Sequence, residues 1–515
     1  MNATSIWLDS QRLPRFPKLT RDLSVDVVVV GGGVTGVTAA YLFKRAGWRV
    51  ALLERARCGG VDTSYTTAHL TSVTDLRLNK LVSTFGKDRA RAVWDAGYAA
   101  MDQIVANFEA EDIACDFKWV PGYMFAAVNG KPPDQNSLKK DAALAREFGF
   151  AAEFLEAVPY FAPPGVRFGH QAKFHPLKYL AGLMKKIPGD GSHVFEETEA
   201  DEFTAKPMAV KARGRVIHCR YVVLATHTPL MGQTGVVAAT LFQTKLFLYT
   251  SYAIGAKIPA GRVPEALYWD TAEPYHYLRV DRQRGFDYAI FGGEDHKTGQ
   301  EDDTKAPFRR LEQKLRAWIP KARVDHRWSG QVIETSDGLP FIGETAEAQF
   351  AATGFAGNGM TFGTLSAMMA VDAALGRTNP WAELFSPRRK KVHGGVWNYL
   401  KENKDYPYYL VRDWIAGAEG KSTKSVARGQ GKILNLNGKK VAAYRDDKGK
   451  LSLLSPVCTH LKCIVAWNPA ERTWDCPCHG SRFTTNGEVL AGPAETPLEP
   501  HAPRPEKRRP RTARR

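Results

Sequence analysis

A chain of 515 residues, 44% hydrophobic and 24% charged, has material for two or three packed domains and is not a disordered polymer. Seven cysteines are too few for a disulfide-stapled scaffold, and no apolar run reaches the roughly 18 residues of a membrane span. The net charge of +17 invites a nucleic-acid reading, but much of the excess is local, in SPRRKKVHGG and in the closing PRPEKRRPRTARR. No nucleic-acid-binding motif accompanies it, so a solvated basic tail over 506–515 is expected. An acidic redox partner steered by this charge stands between the two readings. MNATSIWLDSQRLPRF lacks the basic start and apolar centre of a secretory signal, which makes the cytoplasm the expected location.

Past this polar leader, VDVVVV is a short apolar, β-branched run of the kind a buried parallel strand requires. GGGVTG follows directly, then the helical VTAAYLFKRAG and a second strand, WRVALLE. Gly31, Gly33 and Gly36 occupy the G-x-G-x-x-G positions: a tight turn, backbone approach to a pyrophosphate, and close packing of helix on strand. Glu54 closes the second strand, where a carboxylate can take ribose hydroxyls. Strand, helix, strand and acid in that order predict dinucleotide binding.

From about 75 to 175 the pattern turns helical, in LNKLVSTFGKDRARAVWDAGYAAMDQIVANFEA and SLKKDAALAREFGF. Segments 243–256, 266–280 and 286–293 read as strands rich in Tyr, Phe, Val and Ile. The polar GGEDHKTGQEDD after them reads as a solvated turn at least as readily as a site. Cys115 and Cys219 read as core residues.

Three further stretches decide which dinucleotide is bound. CGGVDTSYTTAHLTS follows the second strand, YVVLATHTP ends a later one, and DGLPFIG leads into FAATGFAGNGMTFGTLSAMMAVDAAL. Together they resemble the D-amino-acid-oxidase-like superfamily that includes glycine oxidase and sarcosine oxidase, over the first three-quarters of the chain. The resemblance implies FAD. It places Ser64, Thr66 and Thr67 on the loop beneath the flavin, and Thr226 in an A-T-G element where His227 replaces the glycine. Gly357, Gly359, Met360 and Thr361 fall at the start of a helix whose dipole favours negative charge on the reduced flavin. The strands above would roof the flavin. On them Arg279, Tyr249, Tyr252, His276, Tyr277 and Lys245 are candidates to face the substrate, with Arg279 as anion anchor and Tyr252 beside it as catalytic candidates. Cys58 and His69 lie where covalent flavin attachment occurs in the superfamily, but no attachment motif is matched, and a non-covalent flavin is expected.

The last part begins after SPRRKKVHGGVWNYLKENKDYPYYLVRDWIAGAEG, which reads as a linker. Alternating short strands follow, with hairpin-turn signals at NLNGKK and DDKGK. SPVCTHLKCIVAW and WDCPCHGSRFTTNGEVLAGPA then place Cys458 and His460 in one box and Cys476 and His479 in another. Two thiolates and two neutral imidazoles suit an asymmetric diiron cluster. The same four groups also satisfy zinc, although zinc sites more often open with C-x₂₋₄-C. The C-x-H and C-x-x-H boxes resemble the Rieske [2Fe–2S] domain. That resemblance implies a Cys463–Cys478 disulfide pinning the ligand loops, a Ser481 hydrogen bond to a cluster sulfur, and a shielding loop at Gly492, Pro493 and Ala494. Phe483 stands where the highest-potential members carry tyrosine, so the expected potential is in the upper part of the Rieske range, roughly −150 to +300 mV, but below its ceiling.

The expected fold is an α/β FAD-binding domain (Rossmann-like, of the glutathione-reductase type) with an α+β substrate domain, and a C-terminal all-β Rieske domain. The boundaries are 1–385 for the oxidoreductase, 386–420 for the linker and 421–505 for the Rieske domain. Within the first, 24–75, 190–235 and 330–380 would bind nucleotide and 76–189 and 236–329 substrate. The expected activity is FAD-dependent oxidation of a small-molecule substrate, an amine or amino acid, with electrons leaving singly through the cluster to an acceptor protein or quinone. Competing readings are a reductase with the current reversed, an oxygenase, for which no catalytic segment is matched, and a redox-responsive protein that catalyses nothing.

Overall fold

The computed structural model describes residues 4–127, 135–228, 245–389, 408–409, 412, 414 and 417–501. The basic tail, most of the expected linker, and 128–134, 229–244 and 502–505 of the expected segments lie outside them. Contacts divide the chain into two units, Met1–Lys404 and Asp405–Arg515.

A six-stranded sheet organises the first unit. Its order is Phe341–Ala346, Gln349–Thr353, Tyr221–Leu224, Val27–Val30, Val50–Leu53 and His193–Phe195. All neighbours run parallel except the outer pair Phe341–Ala346 and Gln349–Thr353. Val27, Val28 and Val29 are fully buried, as a strand covered on both faces demands. The helix Val34–Arg45 starts at Gly33 and ends on Lys44 and Arg45, cations placed against its negative pole. Two glycines enforce the turn before it. Gly31 has φ +107°, and a Cβ there would meet the Ala225 carbonyl oxygen at 2.4 Å; a Cβ on Gly36 would stand 1.8 Å from the Gly31 oxygen. Between these strands in sequence, 200–218 folds apart as a small sheet with Leu23–Ser24.

A nine-stranded sheet forms the second layer. Leu246–Ile258 and Asp287–Lys297 lie near the expected strands, the latter running on through Gly292–Lys297, so half of the expected polar turn is strand. The expected strand 266–280 is two, Leu267–Asp270 and Tyr277–Arg282. Asp270 breaks it: its carboxylate accepts from the amides of Ala272 at 3.1 Å and His276 at 2.9 Å, which closes a turn. The helical expectation for 75–175 holds for Leu78–Phe85, Lys87–Ala110 and Gln135–Glu147. It fails for Lys118–Phe125, Ala152–Leu155 and Gly165–Lys173, which join the sheet. Pro121 obscures the first of these, and it sits where the pairing register shifts between Val120 and Gly122.

The two faces of this sheet have different partners. Tyr252, Ile254, Leu278, Val280 and Phe291 pack with Leu311 and Leu315 of the helix Ala306–Trp318. Ala253, Ile290 and Trp328 join the larger core that includes Val27, Val29 and Met360. Strand alternation sets Ser251 and Tyr277 on the face opposite Tyr252 and Leu278, and an extra residue in Asp287–Lys297 at the register shift brings Asp295 to that face as well.

The second unit is all β. Gln430–Leu436, Lys439–Arg445 and Leu451–Leu454 make one sheet; Ala466–Asn468, Thr473–Asp475, Arg482–Phe483 and Val489–Ala491 make another. The first hairpin turns on Asn437 and Gly438, at φ 54° and 81°, the backbone that Asn-Gly supplies at least cost. Trp474 and Phe483, both fully buried, anchor a core that also contains Cys458 and Cys476.

Candidate functional site

The nucleotide cradle is assembled from the glycine turn and the ends of parallel strands. Glu54, just past Val50–Leu53, accepts from the Gly32 amide at 2.8 Å and from the Ala56 amide at 2.8 Å. Burial raises its pKa, and these two amides oppose that. Thr63 Oγ1 accepts from Val34 N at 3.2 Å, tying the short helix Val61–Ser64 to the start of Val34–Arg45. Ser64 Oγ donates to Val61 O, and Thr226 Oγ1 donates to Thr228 O, each at the end of an element. His227 takes φ +65°, a left-handed backbone that accounts for glycine at this position in the A-T-G element. At the second helix, Gly359–Ala374, a Cβ added to Gly359 would meet nothing within 4 Å, whereas Thr361 Oγ1 donates to Thr71 O at 3.1 Å and Met360 is buried. Open space at one helix start and a backbone-only turn at another fit a flavin dinucleotide.

Loop 58–72 is held from below. Cys58 is fully buried behind the glycine turn, and burial followed by the charges of Glu54 and Glu196 pushes its thiol far above the ordinary value. Thr66 Oγ1 accepts from Ala68 N, and Thr67 Oγ1 lies 3.1 Å from His69 Nδ1. Trp7, from the leader, donates its indole N–H to Thr66 O at 2.7 Å and stacks under the Arg279 guanidinium at 5.0 Å. Arg279 is spent at this point. Its Nη1 donates to Ala68 O and Phe174 O at 2.9 Å each, and its Nε faces Asp281 at 3.0 Å. Arg279 is therefore a strut for the flavin loop, which corrects the expectation that it anchors an anion.

Tyr252 also departs from expectation. It points to the far face, where its hydroxyl pairs with His296 Nε2 at 3.0 Å and its ring meets Phe308 edge-on. Its strand pairs with Arg323–Thr335 in unbroken register from Leu246 through Tyr252, so simple alternation puts Tyr252 on the face of Ile254; the extra residue at the neighbouring register shift lies in Asp287–Lys297. His276 is likewise turned toward the helix Ala306–Trp318, among Asp270, Glu294 and Lys314. Tyr249 shares the Ser251 face, and Lys245 lies over the Phe341 ring at 5.8 Å. Cys115 is buried and Cys219 half-buried, both with thiols raised by burial to about 11.

Tyr277 does face the core side, and it belongs to a cluster that the sequence did not disclose. Its hydroxyl lies 3.0 Å from Ser251 Oγ, and its ring meets His69 edge-on at 5.6 Å. Tyr275 donates to Asp75 Oδ1 at 3.0 Å, and Gly357 N donates to Asp75 Oδ2 at 2.9 Å. Asp295 lies beside Ser251, and its Oδ1 is buried with no hydrogen-bond partner among the described residues. Burial pushes Asp295 up to about 7, and the charge of Asp75 adds to this. Burial, then Arg279, pushes His69 down to about 3, so its imidazole is neutral. The cluster sits where loop 58–72, the Gly357–Thr361 loop and the second sheet meet. Asp75 and Asp295 were missed because each stands in a polar run that reads as loop; the glycines flanking 293 were the available signal.

In the second unit, two loops of like form present the metal ligands. Cys458 N donates to Cys463 O at 2.7 Å and Lys462 N to Cys458 O; Cys476 N donates to Ser481 O at 2.8 Å and Gly480 N to Cys476 O. Lys462 and Gly480, fourth after each cysteine, both turn left-handed, at φ 62° and 69°. The His460 and His479 rings stand 5.0 Å apart and nearly perpendicular. Burial pushes them down to about 4 and about 3, which leaves neutral nitrogen ligands. A hydrogen bond between the two ligand sulfurs holds Cys458 low and Cys476 high. Cys463 and Cys478 form a disulfide joining the loops, and its sulfurs lie within 4.8 Å of the Cys476 sulfur. Ser481 is fully buried beside Cys458 and accepts from Ala494 N of the Gly492–Ala494 loop at 3.1 Å. Phe483, fully buried, has no hydroxyl to offer. Two adjacent sulfurs beside two neutral imidazoles fit a [2Fe–2S] cluster.

Comparison with known proteins places this geometry. Residues 26–373 match the model of the FAD dependent oxidoreductase family, and 419–502 match the Rieske [2Fe-2S] domain. YhfW of Bacillus subtilis (strain 168), named for a Rieske 2Fe-2S iron-sulfur centre, is 32% identical over 505 residues, 96% of each chain. Gamma-glutamylputrescine oxidoreductase of Escherichia coli (strain K12) is 24% identical over 365 residues, 67% of this chain and 82% of its own. The crystal structure of glycine oxidase from Geobacillus kaustophilus superposes with a TM-score of 0.60 at 16% identity, over 72% of this chain and 100% of that one.

Proposed function

Since the chain belongs to the FAD dependent oxidoreductase family and carries a C-terminal Rieske [2Fe-2S] domain, we propose that it is a dehydrogenase for an amine or amino acid whose electrons leave through the cluster to a separate one-electron acceptor. FAD, when bound, accepts two electrons with a hydride, and a [2Fe–2S] cluster handles one electron at a time. The observation that carries the reading is the presence on one polypeptide of both sites, each with its ligand set intact. A simple oxidase needs only dioxygen at the flavin and has no use for the second.

The chain's own residues do the positioning. Gly31, Gly33 and Gly36 admit the pyrophosphate to the start of Val34–Arg45, and Glu54 is placed for the ribose. Thr66, Thr67 and Ala68 form the bed of the flavin loop, held by Trp7 and Arg279. Gly359 and Met360 start the helix that would face the pyrimidine end. Cys458, His460, Cys476 and His479 would hold the cluster, with Ser481 beside Cys458, where a hydrogen bond to a cluster sulfur would favour the reduced form. The E. coli relative named for gamma-glutamylputrescine supports an amine in the substrate class.

The test is an anaerobic panel of amines, amino acids and hydroxy acids, read by bleaching of the flavin absorbance. An amine or amino acid that bleaches it is the expected result. Bleaching by hydroxy acids alone, or by nothing, contradicts the reading.

A further inference from the structure

The polar cluster beneath the second sheet has a definite charge. Asp75 lies close enough to Asp295 for its charge to raise the Asp295 carboxyl, and Tyr275 and Tyr277 stand beside both. Lys173 and Arg279 are the basic side chains of this unit that are buried among the described residues. Neither serves the cluster: Lys173 pairs with Glu265 and Asp281, and Arg279 with Asp281. His69, which meets the Tyr277 ring edge-on, is neutral, and His276, whose charge acts on Asp295, is paired with Asp270 and Glu294. Asp295 Oδ1 is buried with no hydrogen-bond partner among the described residues, an acceptor left waiting for a donor.

We propose that this pocket selects a cationic amine with no carboxylate beside its nitrogen, and that Asp295 and Asp75 hold the ammonium while the hydroxyls of Tyr275 and Tyr277 line the same space. The proposal rests on the dehydrogenase reading and narrows its substrate class. A desolvated carboxylate is costly until a cation pairs with it, and an ammonium brings both the charge and three donors. An α-amino acid would bring its own carboxylate against two others, with no further buried lysine or arginine among the described residues to receive it. Both acids reach the flavin side through backbone already assigned to it: Asp75 accepts from Gly357 N, and Asp295 follows Gly293 on the roof strand. The ammonium would therefore sit beside the Gly357–Thr361 loop.

Three probes of matched size, none with a hydrogen on the reacting carbon, separate the charge classes: tert-butylammonium, 2-aminoisobutyrate and pivalate. Binding to the holoenzyme is followed by perturbation of the flavin spectrum. Tert-butylammonium is expected to bind at least tenfold more tightly than either carboxylate, and Asp295→Asn, checked for retained flavin, to weaken it at least tenfold. Binding of 2-aminoisobutyrate or pivalate as tight as that of the cation overturns the proposal, as does binding of none of the three or an unmoved Asp295→Asn. The reading beneath is judged separately by anaerobic bleaching, so amino acids that bleach the flavin in a site that prefers 2-aminoisobutyrate sink the inference alone.

Discussion

Replacing Arg279 with methionine would leave Asp281 to Lys173 alone in a buried site and strip the carbonyls of Thr67, Ala68 and Phe174 of their donor. Breaking a buried pair from one side costs about 3–5 kcal/mol, so the unfolding free energy from urea titration should fall by that amount and flavin should be lost. An anion anchor would behave differently, with KM raised and stability unchanged. Asp295 gives a second expectation at this scale. Its folded pKa, about 7, stands above its ordinary 3.8, raised by burial and by Asp75 and Glu294 against the pull of Ser251 and His276. Stability from the protonated form is complete below the unfolded value and is lost as pH rises through about 7. Cofactor-free Asp295→Asn should therefore gain on the parent between pH 4 and pH 8, by a few kcal/mol on the order of 1–4. Urea midpoints across that range check it, and a difference flat with pH contradicts it. Neither residue's role was legible in the sequence. An arginine on an apolar strand looks the same whether its partner is a ligand or Asp281, and Asp295 is one polar residue in a polar run.

The elements separate what is local from what is not. The glycine turn was legible because its cause is local: only glycine tolerates φ +107° at position 31, and only glycine lets position 36 approach the Gly31 oxygen. Gly36→Ala should then force the helix Val34–Arg45 off its strand, cost about 1–3 kcal/mol or more, and drop the flavin-to-protein ratio well below that of the parent. The two Cys-His loops of the Rieske domain are local in the same way, since each closes on itself through the amide of its own cysteine. Removing Cys463 and Cys478 together should cost up to about 3 kcal/mol, given the 15-residue separation, and should shorten the lifetime of the cluster's visible absorbance in chelator. The strands at 118–125 and 165–173 were not legible. Their partners lie far along the chain, and pairing rather than propensity decides them. The direction of Asp295 depends on a bulge in its strand that no residue type announces.

At the scale of the molecule, one chain carries a flavin fold built from segments spread over 26–373 and a compact cluster domain at 419–502. Among the described residues no helix is long and apolar enough to cross a membrane. The claim that joins the two parts is that electrons taken from substrate at the flavin leave through the cluster. It is tested most directly by mixing anaerobic holoenzyme with a substrate that bleaches the flavin, freezing at intervals, and recording the electron paramagnetic resonance of the reduced Rieske centre. The account predicts that the signal grows after flavin bleaching, and that Cys458→Ser bleaches normally but loses turnover with a one-electron acceptor. A cluster that stays oxidised beside a fully bleached flavin, or zinc in place of iron at Cys458 and Cys476, would contradict it.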